Sequence, residues 1–546
     1  MSKLMIKQYK TVHKNLIKES ADLKTIAAAV QLFKQCVAQF AEAGSDDYED
    51  EPINPELLQN VIQMCMIDLL PAIHKFLRLP SPTAKNEESP DTKPLDPSKS
   101  KKWAKMVGCM KVYLSSLLKL MDTVAQDSVL TKLLRHTLYL IPFFSQYLNL
   151  SKNLLKRVMV IWSQDDEKNR VLAFLIILRI IRRHDSTMIS FIMKKLYLAY
   201  IKNCKLVSKE TWPMINFMQQ SLVELYSLDQ GVAYQHAFIF IRQCAIALRN
   251  ASASTEQDAF KTVYNWQYLQ SLLLWSRLLT NLHPSEVLKP LIHPLVQVFM
   301  GTIKHLSVAR YFPLRLHIVK ALIRLSTTTN TFIPVLPLIT DVLDATNYEK
   351  KFKVTQKKNK IDFDCLTRVS QNLTDEKLFV DGCINKSHEL LLEYLSHQSH
   401  SIAFPELSYF TLRKIKKFVK KCTVASHGKM MKKLAEKIEE TSKLVEEKRQ
   451  HVNFSLKDQN AINQWQSEIK DKGTPLSKYL IEWRKMKEAE SKVEQNHDDD
   501  NDDNDNYNDD DDEIMNEDNE EDDEDQGDSE SEPEHTPPPK KKKRKN

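Results

Sequence analysis

Few stretches of this 546-residue chain have residue types and spacing fit for chemistry, and those that do favour recognition over catalysis. The run PPPKKKKRKN sets Lys540, Lys541, Lys542, Lys543, Arg544 and Lys545 behind three prolines. A proline-led basic cluster is the form read by a nuclear import receptor; its plainer reading is nonspecific phosphate binding. Just upstream, in GDSESEPE, Glu532 stands three residues after Ser529 and Glu534 three after Ser531. That acidic context suits acidophilic kinases and makes Ser529 and Ser531 candidate phosphorylation sites. His397 and His400 form an HQSH pair with no third ligand nearby, too little to hold a metal. The eight cysteines contain no C-x-x-C pair and no zinc spacing with histidine, so they read as small buried apolar residues in a reducing compartment. No phosphate-binding glycine loop, dinucleotide fingerprint, H-E-x-x-H or G-x-S-x-G occurs. An enzyme, a cofactor and a metal are therefore not expected.

The elements that must position the remaining residues follow from composition. Only 8 of the residues are glycine. Glycine supplies the left-handed positions of tight hairpins, so a chain this poor in it is expected to be nearly all helical. MSKLMIKQYK leads into no apolar core, which argues against a signal peptide. The longest greasy run, VLAFLIIL (171–178), is too short to span a bilayer. A soluble intracellular protein without membrane contact is the expectation.

Charge is partitioned along the chain. Residues 498–534 hold 23 Asp and Glu and no Lys or Arg, and 540–545 hold six cations. With both removed from the net +6, the body carries +23. A basic body with a detached acidic segment suits a polyanionic partner, above all nucleic acid. The plainer reading is a solubility brush.

Hydrophobic periodicity divides the chain into N-terminal helices (1–79), a proline-rich disordered linker (80–102) and a long helical run (103–345). A lysine-rich loop (346–361), a C-terminal helical region (362–490) and a disordered acidic tail (491–546) complete it. From Trp103 onward apolar segments follow one another across short polar breaks. Several are apolar on two faces, as in RVLAFLIILRIIRR, and must be covered from both sides. The expected fold is all-α: an irregular HEAT/armadillo-like α-solenoid with degenerate repeats. A compact irregular helical domain is the alternative. Within 362–490, helices are expected at 362–370, 374–397, 408–421, 427–450, 457–470 and 475–490. Thr474 is the expected N-cap of the last, ahead of Pro475.

Placed on a helix starting at Pro313, His317, Lys320 and Arg324 share an arc about 60° wide and read as a solvent-facing basic stripe. Arg315 falls between two apolar faces and reads as a buried structural clamp onto a neighbouring carboxylate or helix end; contact with a partner's acidic group is the sharper alternative. Lys350, Lys351, Lys357 and Lys358 of the loop, with Lys416 and Lys417, extend the candidate RNA-facing set. Leu412, Ile415 and Val419, and Tyr479, Leu480 and Trp483, form apolar stripes near the end of the helical run and are candidate partner-docking residues.

Several long motifs then carry a resemblance. WQYLQSLLLWSRLL, EVLKPLIHPLVQVFMGTIKHLSVARYFPLRLHIVKALIRLSTTTNTFIPVLPLI, LLLEYLSHQSHSIAFPELSYFTLRKIKKFVK, EKIEETSKLVEEKRQHVNFS and TPLSKYLIEWRK occur in order. Together they resemble the nucleolar complex protein 2 family over roughly 266–343 and 361–487. The resemblance implies a non-enzymatic ribosome-assembly factor of nucleolus and nucleoplasm. It implies heterodimers with nucleolar complex proteins 1 and 3, which accompany pre-60S particles and their pre-rRNA toward export. Some animal members are also described as histone-binding transcriptional corepressors. Family members usually carry a long charged N-terminal extension, whereas here the charge blocks lie at the C-terminus; a role of that extension is expected to be missing or moved. The rival readings are a histone-binding chromatin regulator and a helical-repeat nuclear transport factor; receptors of the latter kind are usually acidic, unlike this body.

Overall fold

Every regular element is helical among the described residues of the computed structural model, which are 2–499 apart from 18–21, 43–54, 81–95, 125–126, 184–185, 254–260, 306–307, 347, 350–361 and 456. The N-terminal part holds α1 (Ser2–Ile17), α2 (Leu23–Glu42), α3 (Pro55–Met64) and α4 (Leu70–Leu77), the last two joined by a π turn at Cys65–Leu69. The long run holds α5 (Trp103–Thr123), α6 (Asp127–Phe144), α7 (Leu148–Gln164), α8 (Glu167–Ile181), α9 (Ser186–Asn203), α10 (Thr211–Ser227) and α11 (Gln230–Ala253). It continues through α12 (Trp266–Asn281), α13 (Ile292–His305), α14 (Phe312–Thr329) and α15 (Leu336–Ala345). Then come α16 (Lys377–Gln398), α17 (Phe404–Lys421), α18 (Ala425–Arg449), α19 (Gln459–Lys472) and α20 (Pro475–Asp499). No helix is long and apolar enough to cross a membrane among the described residues.

Packing follows chain order. Helices touch the next and the next but one: α5 packs on α7, α6 on α8, α10 on α12, α11 on α13, α12 on α14, α14 on α16 and α15 on α17. Helices in the middle of the run, such as α12 and α14, therefore bury two faces, which is what doubly apolar segments require. Trp275 sits at the centre of one such contact, its ring 5.9 Å from Phe240 and 5.4 Å from Tyr226. Several polar groups in the same layer form a connected set. The Gln219 side-chain amide donates to the Tyr200 hydroxyl at 3.2 Å, that hydroxyl donates to Gln270 Oε1 at 3.0 Å, and Arg277 donates to Gln219 Oε1 at 2.7 Å. Two compact units result, Met1–Leu480 and the part from Ile481 onward, which among the described residues is helical to Asp499.

Three boundaries differ from the sequence expectation. The linker is ordered at its end: Ser100 donates to the Leu77 carbonyl at 2.8 Å, and Pro97 is buried. The expected helix at 362–370 is absent. Phe363–Cys365 makes one 3₁₀ turn, and the chain then runs extended over the start of α14, where Leu314 N–H donates to the Thr367 carbonyl and Val369 N–H to the Arg310 carbonyl. These bonds satisfy an orphan amide of a helix N-terminus, and the β-branched Thr367 and Val369 suit extended backbone. Gly382 of α16 makes room for this segment, because a Cβ there would collide with the Phe363 ring. Third, the helical run expected over 103–345 is interrupted ahead of Ile292 by a 3₁₀ turn at Lys289–Leu291. The start of α20 is capped as its sequence suggests: Ser477 N–H donates to Thr474 Oγ1 at 3.1 Å, and Thr474 N–H to Ser477 Oγ at 2.9 Å.

Candidate interaction surface

Pro313 lies in the first turn of α14 and starts the helix that carries Arg315. Arg315 is only 7% exposed, and its Nη2 donates to Asp341 Oδ2 of α15 at 3.3 Å. The other oxygen of Asp341 faces Lys414 of α17 at 3.5 Å, and Lys414 also meets Asp344 Oδ2 at 2.8 Å. One polar chain thus ties three helices, with Arg315 inward and Lys414 and both carboxylates half-exposed.

His317 does not share the exposure of Lys320 and Arg324. The extended 366–370 segment covers it, and its Nε2 lies 3.1 Å from the Leu366 carbonyl. Burial pulls its pKa down to about 4, against the opposing charge of Asp364; Lys320 and Lys386 lower it further. Asp364 itself is bound by Lys386 at 3.2 Å. The basic stripe is therefore Lys320 and Arg324 alone. The helical wheel misplaced His317 because a wheel sees only its own helix, and the cover is a non-helical segment from farther along the chain.

α17 carries two distinct faces. Phe404, Ser408, Thr411, Ile415 and Phe418 recur at three- and four-residue steps, are buried, and lie on the helix that packs against α18. Ile415 is fully buried, so this candidate docking residue is internal core; Leu412 and Val419 are half-buried at its margins. On the outer face Tyr409 is 59% and Phe410 72% exposed, with ring centroids 5.5 Å apart. Arg413, Lys417 and Lys420 follow on that face. Lys416 is exposed but paired with Glu439 of α18. Tyr409 and Phe410 were not singled out by sequence, although they sit opposite the 404/408/411/415/418 stripe and could have been found by asking which aromatics lie off it.

In α20, Leu476 is buried and Tyr479 is 4% exposed, with the Lys433 ammonium 4.8 Å from its ring centroid. Tyr479 is thus also core. Leu480 and Trp483 are half-buried, and Ile481 and Met486 are exposed. Lys350, Lys351, Lys357, Lys358, Ser529, Ser531 and Lys540 to Lys545 lie outside the described residues. Among the described residues no three His, Cys, Asp or Glu side chains converge as a metal site would require, and the eight cysteines are free thiols.

The geometry defines an all-helical chain that offers aromatic and basic helix faces as its candidate working surface. Residues 187–483 match the sequence pattern of the Noc2p family, and the chain belongs to that family. It is 38% identical to nucleolar complex protein 2 of Drosophila melanogaster over 481 residues, which is 86% of this chain and 61% of that protein. It is 29% identical to an uncharacterised NOC2 family protein of Schizosaccharomyces pombe over 486 residues, 88% of this chain and 68% of that one. Nucleolar complex-associated protein 2 of Arabidopsis thaliana is 28% identical over 483 residues, 88% of this chain and 63% of that protein. The chain thus spans between 61% and 68% of the length of these relatives.

Proposed function

We propose that this chain is a non-enzymatic scaffold of large ribosomal subunit biogenesis, working in the nucleolus and nucleus. It pairs with sister nucleolar complex proteins 1 and 3 on pre-60S particles and supports their maturation and transport. Family membership across 187–483 is the observation that carries this reading. Next-but-one packing through most of the run from α5 to α18 supports a HEAT- or armadillo-like repeat arrangement, in which outer helix faces remain available to partners. The outer face of α17 is the surface we assign to the sister protein. Two adjacent exposed aromatics are what interface hot spots are made of, and Leu412 and Val419 border them.

The experiment is gradient sedimentation of a nuclear lysate containing tagged chain, with and without Tyr409→Ala and Phe410→Ala together. The parent is expected among large-subunit precursors with its sister protein. The double variant is expected to fold normally, lose the sister protein and sediment lighter. Migration with chromatin would favour the histone-binding reading, and cofractionation with soluble transport cargo the transport one; either would displace the scaffold.

A further inference from the structure

The HQSH pair lies in a cleft that the scaffold reading does not use. One wall is the face of α19 that presents Gln459, Asn463, Gln466, Ser467 and Lys470. The opposite walls are the ends of two other helices. Asn330, in left-handed conformation at the end of α14, leads to Phe332, which is 63% exposed. The end of α16 supplies His397, Gln398 and His400. The cleft is half open to solvent and offers about 520 Å³, a volume within the range of about 300–1,000 Å³ found for small-molecule sites. An adjoining hollow of about 200 Å³ shares His397, His400 and Lys470 and reaches Thr474 and Ser477 in the capped first turn of α20.

Among the described residues no carboxylate lines either space. The two imidazoles stand at right angles with centroids 5.9 Å apart. Burial and the Lys470 charge lower both histidine pKa values, His400 to about 4, where His397 contributes as well. At neutral pH each ring is therefore uncharged and offers one donor and one acceptor. Lys470 is the cation that lines the inner hollow; the positive start of α20 and the negative end of α16 meet there and offset one another, so the attraction for an anion comes from the Lys470 ammonium. The outer cleft has a different character: side-chain amides in a row along one helix, facing an exposed aromatic ring. Amides read base edges in bidentate fashion, and exposed rings stack on bases.

From this juxtaposition we infer that the cleft between α14, α16 and α19 binds a nucleotide, its phosphate inward at Lys470, His397 and His400 and its base outward on Phe332, edge-on to the α19 amides. The ligand is either a free nucleotide or one unpaired nucleotide of an RNA strand. Only the second source rests on the pre-ribosomal setting proposed above.

The test is calorimetric titration of the full chain with adenosine monophosphate, inorganic phosphate and a short single-stranded oligoadenylate. The parent should bind the nucleotide more tightly than bare phosphate. Lys470→Gln should weaken the nucleotide and the oligonucleotide by about tenfold, as expected for one charge-assisted contact. Phe332→Ala should weaken both but leave inorganic phosphate unchanged. Ser467→Trp, an exposed position on α19, should plug the cleft and abolish binding at an unaltered melting temperature. An oligonucleotide that binds more tightly and is competed by the mononucleotide identifies RNA as the source; a mononucleotide that binds and is not displaced by the oligonucleotide identifies the free ligand. No binding by a natively melting parent would overturn the inference, and so would equal affinity for phosphate and nucleotide with no effect of Phe332→Ala. Sedimentation of Phe332→Ala with or without pre-ribosomes leaves the titration result intact, so failure here is distinct from failure of the scaffold reading.

Discussion

Arg315 and His317 stand two residues apart on one helix, yet they are held in opposite ways. Arg315 is charged, buried and paired with a half-exposed carboxylate. Removing one member of a fully buried pair costs about 3–5 kcal/mol; solvent at Asp341 reduces this, so Arg315→Ala is expected to cost about 2–3 kcal/mol. Lys320 is exposed, where substitutions stay within about 0.5 kcal/mol. Urea melts of the two variants check the difference, and equal midpoints would reject the clamp. His317 is held neutral. Its folded pKa of about 4 lies below the unfolded value of 6.5. The unfolded chain therefore binds more protons in that window. The stability it contributes is complete above pH 6.5 and is lost as pH falls toward 4, on the order of 2–3 kcal/mol. Thermal melts across that window should fall less steeply for His317→Gln than for the parent. A parallel fall would show that the remaining buried histidines, including His136 and His400, carry the whole acid response. The burial of Arg315 was legible because both apolar faces beside it lie on its own helix. The burial of His317 was not, because Leu366 arrives from 362–370, a segment that reads as a helix in sequence but runs extended across α14 after one 3₁₀ turn.

At the scale of elements, α17 shows why an apolar stripe read alone is ambiguous. Leu412, Ile415 and Val419 mark a face that must be covered, but their spacing does not say whether the cover is another chain or the next helix of the same one. Here α18 supplies it, and Ile415 is core. Ile415→Ala is expected to cost about 2–4 kcal/mol through the cavity it leaves, seen as a lower denaturation midpoint. Phe410→Ala removes a ring that is mostly in water and should leave that midpoint within about 0.5 kcal/mol, while lowering capture of the sister protein in a pull-down. If Phe410→Ala destabilises as much as Ile415→Ala, the outer face is not free to dock. The same ambiguity applied to Tyr479, whose stripe at Leu476, Tyr479, Leu480 and Trp483 is half internal. Helix starts were more legible: Thr474, Pro475 and Ser477 are local signals, and their bonds form within one turn.

Over the whole molecule, the charge partition sets how the chain meets polyanions. Its 23 carboxylates in 498–534 are tethered to a body of +23. Tethering gives such a segment an effective concentration that reaches the millimolar range, enough to compete with weak phosphate contacts at Lys320, Arg324, Lys417 and Lys420 but not with a large particle offering many contacts at once. Phosphorylation of Ser529 and Ser531 adds about −1.5 to −2 each and strengthens the competition. Deleting 498–534 while keeping Lys540 to Lys545 is therefore expected to tighten nonspecific RNA binding several-fold at low salt. It should also steepen the fall of log affinity with log salt, because more cations are free to displace counterions. Filter binding at several salt concentrations, intact against deleted, reads both quantities. Unchanged affinity and slope would mean that the acidic segment does not compete for these cations and serves instead as a solubility brush or as a dock for a basic protein. Tighter binding with an unchanged slope would mean that the deletion adds no phosphate contacts and acts only through a gain in accessible, non-ionic surface.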